Sequence, residues 1–102
     1  MTKKLKELTI FFPFWNEEKN IEQVVTRAIE IIPTVAENFE ILLIDDGSSD
    51  DTLKRALKLS EKHSFIRVIT HRVNRGYGAA LRSGFDNAKY DMVVFTDGDL
   101  QF

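Results

Sequence analysis

One short segment near the end of the sequence has the residue types that bind a divalent cation. In Thr96-Asp97-Gly98-Asp99, two carboxylates stand two residues apart, and the glycine between them allows a ligand to approach closely. Oxygen ligands of this kind suit a hard cation such as Mg²⁺ or Mn²⁺. Such a cation takes its remaining ligands from water and substrate phosphates, and it neutralises the charge that grows on a departing phosphate. We therefore predict a metal site at Asp97 and Asp99.

A second acidic segment, Asp45-Asp46-Gly47-Ser48, has the composition of a ligand-binding loop. One of its carboxylates can accept hydrogen bonds from the ring N–H or amine groups of a nucleobase, while the other bonds to nearby backbone amides. The alternative is an Asx-turn that leads into a helix cap, because aspartate is common in both. The residues alone leave both interpretations open.

A third polar segment follows the first apolar run of the chain. It consists of Asn16, Glu17 and Glu18, and Trp15 stands directly before it. The indole can stack on a base or pack under a sheet edge. Together with the two aspartate segments, these residues suggest that one edge of the fold gathers acidic groups around a polar or cationic ligand.

Other signatures of nucleotide binding or catalysis are absent. The segment 74–78 contains G-x-G but lacks the third glycine of a dinucleotide fingerprint, and there is no G-x-x-x-x-G-K-[ST]. Arg72 or Arg75 can reach a phosphate or remain in solvent. His63 and His71 have no partner at metal-ligand spacing, and no Ser-His-Asp arrangement is predicted.

Alternating apolar patterns predict the elements that must position these segments. Short apolar runs predict strands, and apolar residues three and four apart predict helices. Pro13 and Pro33 are expected to end the first strand and the first helix. The predicted strands are 8–12, 39–44, 65–70 and 91–96. The predicted helices are 20–32, a helix capped by Asp50 or Asp51 with Leu53, Ala56, Leu57 and Ser60 on its inner face, and 77–88.

The order of these elements is βαβαβαβ, which predicts an α/β fold. Right-handed crossovers give a mostly parallel sheet with helices on both faces, a three-layer α/β/α arrangement that is half of a doubly wound sheet. Ligands of such sheets bind outside the carboxyl ends of the strands. We therefore expect the functional residues in the segments 13–17, 45–50, 71–78 and 97–102.

The composition excludes several classes of protein. The 102 residues include 14 basic and 16 acidic side chains, and a net charge of -2 makes nucleic acid an unexpected partner. The absence of cysteine excludes disulfides and thiolate metal sites. No apolar run approaches the roughly 20 residues of a membrane span. Because a signal-peptide core is also lacking, a cytoplasmic location is expected.

Taken together, the motifs resemble the N-terminal half of GT-A-type inverting glycosyltransferases of family 2, particularly the branch of dolichyl-phosphate mannose synthases and polyprenyl-phosphate glycosyltransferases. The resemblance runs from about Leu8 to Phe102 and rests on four segments in the family's order. They are P-F-W-N-E at 13–17, I-D-D-G-S-S-D at 44–50, N-R-G-Y-G-A-A at 74–80 and D-G-D-L-Q at 97–101.

The resemblance implies a donor site for a UDP- or GDP-sugar whose diphosphate is held through Mg²⁺ or Mn²⁺. The metal ligands would be Asp97 and Asp99. The family usually has tyrosine or phenylalanine where Trp15 stands, and it often has lysine where Tyr77 stands. The nucleotide-binding residues would be Pro13, Trp15, Glu17, Ile44, Asp46, Asp97, Gly98 and Gln101.

The resemblance also implies that residues 1–102 form a single N-terminal nucleotide-sugar-binding portion of a GT-A domain, truncated after the D-x-D segment. The catalytic base would lie beyond Phe102, and the acceptor would be a polyprenyl phosphate at the cytoplasmic face of a membrane. We therefore expect donor binding with little or no sugar transfer by these residues alone. Self-association through an exposed apolar sheet edge is expected as well.

Three alternatives stay open at this point. A sugar-phosphate nucleotidyltransferase would have a glycine- and arginine-rich loop where Pro13–Glu17 stands. A receiver-like phospho-acceptor domain also binds Mg²⁺ at strand ends, but it would carry its acidic pair after the first strand and a lysine after the last. A non-catalytic nucleotide-binding fragment would have the same motifs as the donor-binding half of an enzyme.

Overall fold

A computed structural model gives the structure of the chain and describes residues 3–96. Within these residues, strands and helices alternate along the chain. The strands are β1 Leu5–Phe14, β2 Ala36–Asp46, β3 Ile66–His71 and β4 Val93–Phe95, and the helices are α1 Ile21–Val35, α2 Thr52–Lys62 and α3 Tyr77–Asn87. The strand pairs of this region are parallel in the order β3-β2-β1-β4, which confirms the predicted α/β fold.

The sheet separates two apolar clusters, so helices cover both of its faces. Successive side chains of a strand point to opposite faces. Ile10 and Phe12 of β1 accordingly pack in one cluster with buried residues of α1 and α2. Phe11, between them, packs on the other face with Ile44 and with Ala80 of α3. The predicted three-layer arrangement is therefore confirmed.

The first strand continues through Pro13, so the prediction that this proline ends it is wrong. Pro13 still aligns with Ile44 of β2. Alternate residues of a parallel strand bond to opposite neighbours, and both Thr9 N and Phe11 O bond toward β4. The nitrogen of Pro13 therefore faces the β4 side, past the last described pair of β1 and β4. The hydrogen bonds between β1 and β2 are not affected by the missing N–H.

The first helix also passes its proline, and it ends at Val35 rather than at Ile32. Proline costs most in a helix interior, whereas Pro33 lies in the last turn of α1. Two bonds after it complete that turn. Thr34 Oγ1 donates to Ile31 O over 2.6 Å, and the N–H of Ala36 donates to Ile32 O.

The remaining differences from prediction are small. Ala56 is buried on the inner face of α2 as predicted, but Leu57 is 47% exposed and Leu59 is buried instead. The helix therefore turns the position three residues after Ala56 toward the sheet. Strand β2 extends further at both ends than predicted, β3 ends one residue later at His71, and β4 is shorter.

Candidate functional site

Two loops at the carboxyl edge of the sheet are joined by several hydrogen bonds. Asn16, after β1, has a left-handed backbone with a φ of 51°, a conformation that asparagine tolerates better than most residues. Its side-chain oxygen accepts bonds from Ser49 N at 2.8 Å and Asp50 N at 3.4 Å. In return, Asn16 N donates to Ser48 Oγ over 2.9 Å. The loops after β1 and β2 therefore form one hydrogen-bonded unit.

Asp50 belongs to this unit as the cap of α2. Its carboxylate accepts hydrogen bonds from Thr52 N at 2.9 Å and from Glu18 N at 3.3 Å. Asp51, the other predicted cap, makes no side-chain cap bond. Burial raises the pKa of Asp50, but the hydrogen bonds from Thr52 and Glu18 outweigh burial and hold this pKa below its ordinary value.

Asp45 holds the same loop from within the sheet. The carboxylate is almost fully buried and accepts hydrogen bonds from Ser48 N at 3.2 Å and Thr70 Oγ1 at 2.8 Å. The first bond comes from a backbone amide three residues along the chain, and the second ties the loop to β3. Asp45 therefore makes the local bond to a backbone amide that the sequence allowed for one carboxylate of this loop.

Asp46 binds the loop that leads into α3. Its side chain is buried and accepts hydrogen bonds from His71 Nδ1 at 2.7 Å, Arg75 N at 2.9 Å and Gly76 N at 3.0 Å. Burial raises the pKa of Asp46, but the bonds from His71, Arg75 and Gly76 outweigh burial and lower this pKa below its ordinary value. The carboxylate is therefore ionised at neutral pH and already has three donors.

A pocket of about 230 Å³ opens between the ends of β1 and β2 and the start of α3. Trp15 and Tyr77 on its rim are 55% and 52% exposed. Ligand pockets commonly enclose roughly 300–1,000 Å³, so this pocket would hold part of a larger ligand. Its lining residues are Pro13, Phe14, Trp15, Asp46, Asn74, Gly76, Tyr77 and Ala80.

The structure brings three of the predicted nucleotide-binding residues together in this pocket: Pro13, Trp15 and Asp46. Ile44 is fully buried beneath the pocket, against α3. Glu17 is half-buried beside the pocket, where its carboxylate accepts a bond from Asn20 Nδ2 at 2.9 Å. Neither residue is among those that line the pocket.

The predicted metal site lies outside the described residues, as do its neighbours in the D-G-D-L-Q segment. Asp97, Asp99, Gly98 and Gln101 all belong to that part of the chain. Thr96, the last described residue, donates through its N–H to Phe11 O over 3.3 Å and so lies at the same sheet edge as the pocket. Among residues 3–96, no three His, Asp or Glu side chains cluster in a way that could hold a metal ion.

A hydrogen-bonded chain of three side chains was not predicted from the sequence, where no Ser-His-Asp arrangement was expected. His71 links Asp46 to Ser83, with its Nε2 2.8 Å from Ser83 Oγ. The three residues come from β2, β3 and α3, so only the fold brings them together. The one signal in the sequence was a histidine at the end of a strand, at the start of the predicted functional segment 71–78.

Gly47 fixes how closely the loops after β2 and β3 approach each other. Its φ is +69°, and a Cβ at this position would lie 2.2 Å from Asn74 N and 2.3 Å from Val73 C. Only a residue without a side chain fits this contact without displacing the backbone of the neighbouring loop. The glycine therefore places Asn74 on the pocket wall.

Arg72 and Arg75, for which the sequence left open a phosphate contact or a position in solvent, are both exposed. Arg75 donates its backbone N–H to Asp46. Neither guanidinium is among the groups that line the pocket.

Comparison with protein families gives one match that covers most of the chain. The sequence model of the family described as Glycosyl transferase family 2 matches residues 9–102. An uncharacterized glycosyltransferase of Synechocystis sp. is 35% identical over 95 residues, which are 93% of this chain and 30% of that protein. An undecaprenyl-phosphate 4-deoxy-4-formamido-L-arabinose transferase of Proteus mirabilis is 34% identical over an alignment of 103 positions. This alignment covers 96% of this chain and 30% of that protein.

Solved structures share the fold. The mannosyltransferase PcManGT from Pyrobaculum calidifontis, in complex with GDP-Man and Mn²⁺, matches with a TM-score of 0.81 and 26% identity over 96% of this chain and 28% of its own. S. aureus TarS in complex with UDP-GlcNAc matches with a TM-score of 0.78 and 26% identity over 91% of this chain and 26% of its own. The chain thus spans about 30% of the length of the curated relatives that it matches.

Proposed function

The chain belongs to glycosyl transferase family 2, and we propose that it forms the donor-binding part of an inverting glycosyltransferase that uses a UDP- or GDP-sugar. The observation that carries this proposal is the pocket at the carboxyl edge, which combines two exposed aromatic side chains with a buried carboxylate. The relatives PcManGT and TarS, with GDP-Man and UDP-GlcNAc in their structures, support a nucleotide-sugar donor. The parent enzyme would transfer the sugar, whereas residues 1–102 would chiefly bind the donor.

In this proposal the pocket receives the nucleoside of the donor. Trp15 and Tyr77 offer flat apolar surfaces on which a base or ribose packs. Pro13 forms a wall, and Asp46 accepts a hydrogen bond from a polar group of the nucleoside through the one lone pair that its three internal donors leave unused. Glu17 and Ile44 act indirectly, because they support the loops that carry the lining residues.

The diphosphate of the donor would be held through Mg²⁺ or Mn²⁺ by Asp97 and Asp99, with Gly98 and Gln101 alongside. The donor chemistry fits, because two carboxylates with a small residue between them suit a hard cation. The chain also enters this segment from Thr96, at the same edge as the pocket. When bound, the cation neutralises charge on the leaving nucleoside diphosphate. The Mn²⁺ in the PcManGT structure supports a divalent metal.

The acceptor would be a polyprenyl phosphate, as in the branch that the motifs resemble. The Proteus mirabilis relative, whose name includes undecaprenyl phosphate, supports this class of acceptor. Within residues 3–96, no helix is both long and apolar enough to cross a membrane. We place the reaction at the cytoplasmic face of a membrane, with the catalytic base contributed from beyond Phe102.

Self-association is proposed for the apolar surface around β4. Among the described residues, Met92, Val94, Phe95 and Phe85 are each 40–49% exposed on or beside this outermost strand. Apolar side chains beside a free strand edge favour pairing with another chain. Sedimentation of the chain over a dilution series measures this, and a monomer that keeps its structure at every concentration would contradict it.

The receiver-like alternative has no support from the structure. Its acidic pair would directly follow β1, but Trp15 and Asn16 stand there, and Asn16 is bonded to the loop after β2. The two glutamates that come next are bonded within these loops, Glu17 to Asn20 Nδ2 and Glu18 to Asp51 N. The family match also favours a glycosyltransferase over a nucleotidyltransferase.

Calorimetry with UDP and GDP, with and without Mn²⁺, tests the proposed function. We expect one nucleotide to bind in the presence of Mn²⁺, and we expect Asp99→Ala to weaken this binding at least about 10-fold because a charge-bearing metal ligand is lost. Asp91→Ala is the matched control, because Asp91 is exposed near Leu5 and Glu7 at the opposite edge of the sheet. Equal affinity with and without Mn²⁺, or no binding of either nucleotide, would refute the proposal.

A further inference from the structure

We propose that His71 is a positioning residue that fixes the carboxylate of Asp46 and, through it, the backbone wall of the pocket at Arg75 and Gly76. This inference rests on the proposed function of the pocket. It adds to that function one residue, His71, that does not itself line the pocket. None of the four sequence motifs includes His71.

The histidine has the contacts of a residue that sets an orientation. Its Nδ1 donates to Asp46 Oδ1 over 2.7 Å, and its Nε2 lies 2.8 Å from Ser83 Oγ. The side chains of His71 and Asp46 are each only 5% exposed. Because the ring is bonded at both nitrogens and buried, it has a single orientation, and the carboxylate that it contacts is held with it.

This Ser-His-Asp chain runs in the opposite direction to that of a hydrolase. In a hydrolase the serine faces the substrate and the aspartate is buried behind the histidine. Here the aspartate lines the pocket, whereas Ser83 lies within α3 and outside the pocket lining. The geometry therefore suits positioning of the carboxylate and gives Ser83 no access to a ligand in this pocket.

The orientation of Asp46 determines where the next loop lies. Oδ1 accepts from Arg75 N at 2.9 Å, and Oδ2 accepts from Gly76 N at 3.0 Å. Gly76 has a φ of +97° and directly precedes α3, and it lines the pocket. A rotation of the carboxylate would break both bonds and move the start of α3, so the bond from His71 preserves the shape of the pocket.

Ser83 completes the arrangement from the helix. A hydroxyl can donate or accept, so Ser83 Oγ can bond to Nε2 whether or not that nitrogen carries a proton. Through this bond His71 connects the end of β3 with the second turn of α3, while its other nitrogen connects β3 with β2. One side chain thus joins β3 to β2 and α3, two of the elements that line the pocket.

Three variants test the inference. His71→Phe keeps a flat ring but removes both bonds, and His71→Asn restores a donor near the position of Nδ1. His63→Phe is the matched control, because His63 follows α2 at the opposite edge and packs against Phe65. The first measurement is hydrogen exchange of the Arg75 and Gly76 amides, which needs no ligand. The second is the dissociation constant for UDP and GDP with Mn²⁺.

We expect His71→Phe to exchange both amides at least about 10-fold faster and to weaken nucleotide binding by a similar factor, with His71→Asn recovering most of both losses. His63→Phe should change neither quantity. Unchanged amide exchange in folded His71→Phe, or faster exchange with an unchanged dissociation constant, would overturn the inference. If His71→Phe does not fold, Ser83→Ala should still accelerate exchange at both amides, and wild-type exchange in that variant would overturn it as well.

The two proposals fail in different ways. Failure of the wild-type protein to bind either nucleotide contradicts the donor-binding function, and it also removes the ligand-dependent half of the inference. The amide exchange of His71→Phe still decides whether the histidine positions the loop.

Discussion

The aspartates at the carboxyl edge of the sheet have different structural roles although they lie close together in the sequence. Asp45 closes a turn, Asp50 caps α2, and Asp46 holds the loop before α3. Their location at one edge follows from the strand pattern and was predictable. The distant partners of Asp45 and Asp46 were not, because Thr70, His71 and Gly76 are at least 20 residues away in sequence. Within the described residues, Asp45 and Asp50 bond to groups of the protein, and the prediction that the acidic loops gather around a ligand stays a prediction.

At Gly47 we expect substitution by alanine to lower the free energy of unfolding by about 1–3 kcal/mol, because the new residue must adopt a strained left-handed φ. The added Cβ would also push against Val73 and Asn74, so nucleotide binding should weaken too. Urea unfolding and calorimetry measure the two effects. Gly47→Asn separates them, because asparagine tolerates the φ but keeps the Cβ. Wild-type affinity in Gly47→Asn would show that the contact with the neighbouring loop is unimportant.

At the scale of elements, local rules located the helices and strands but misplaced some of their ends. Pro13 and Pro33 were expected to stop β1 and α1, and both lie inside these elements. The sequence shows that a proline has no backbone N–H, but it does not show whether the fold places an acceptor opposite that position. The missing N–H of Pro13 faces the β4 side of β1, past the last described pair of these two strands. Pro33 lies in the last turn of α1, which ends at Val35.

The packing of α3 on β1 gives a prediction for this element. A Cβ at Gly84 would lie 2.3 Å from ring atoms of Phe11, which is fully buried in the sheet. We expect Gly84→Ala to lower the free energy of unfolding by about 1–3 kcal/mol through overpacking. Gly78→Ala is the control, because a Cβ there meets nothing within 4 Å and alanine is the better helix former. Thermal unfolding that ranks the two variants equally would contradict this packing.

At the scale of the whole molecule, a buried carboxylate near the amino edge of the sheet joins distant parts of the chain. Glu40 is 5% exposed and accepts bonds from Thr9 Oγ1 at 2.8 Å, Arg67 Nε at 2.9 Å and Lys89 N at 2.6 Å. Tyr90 N in turn donates to Thr9 Oγ1 over 3.1 Å. No sequence pattern predicted this cluster, because the glutamate directly before the apolar run Ile41–Ile44 has no local partner to reveal its role.

This cluster predicts sensitivity to acid. Burial raises the pKa of Glu40, but its bonds with Arg67, Lys89 and Thr9 outweigh burial and hold this pKa below the ordinary value of 4.5. A lowered pKa in the folded state contributes stability that is present above the ordinary pKa and is lost as the pH falls through the folded-state pKa. Asp46 and Asp50 act in the same direction. The free energy of unfolding should therefore be flat near pH 7 and decline below about pH 4.5.

Urea unfolding between pH 7 and pH 3 measures this decline. Glu40→Gln should lower the free energy of unfolding at pH 7 by about 1–3 kcal/mol and should flatten the acid dependence. Glu37→Gln, at an exposed position of the same strand, is the control and should behave like the wild type. An acid profile of Glu40→Gln that matches the wild type would contradict the role given to this carboxylate.

The contacts of Glu40 also bear on how the chain folds while it is being made. Lys89 lies 49 residues after Glu40, and Tyr90 lies 81 residues after Thr9. On the ribosome, β1 and β2 emerge long before these two amides, so a nascent chain that pairs the strands early buries a carboxylate with an incomplete set of donors. The cluster is complete only once Lys89 and Tyr90 have left the ribosome.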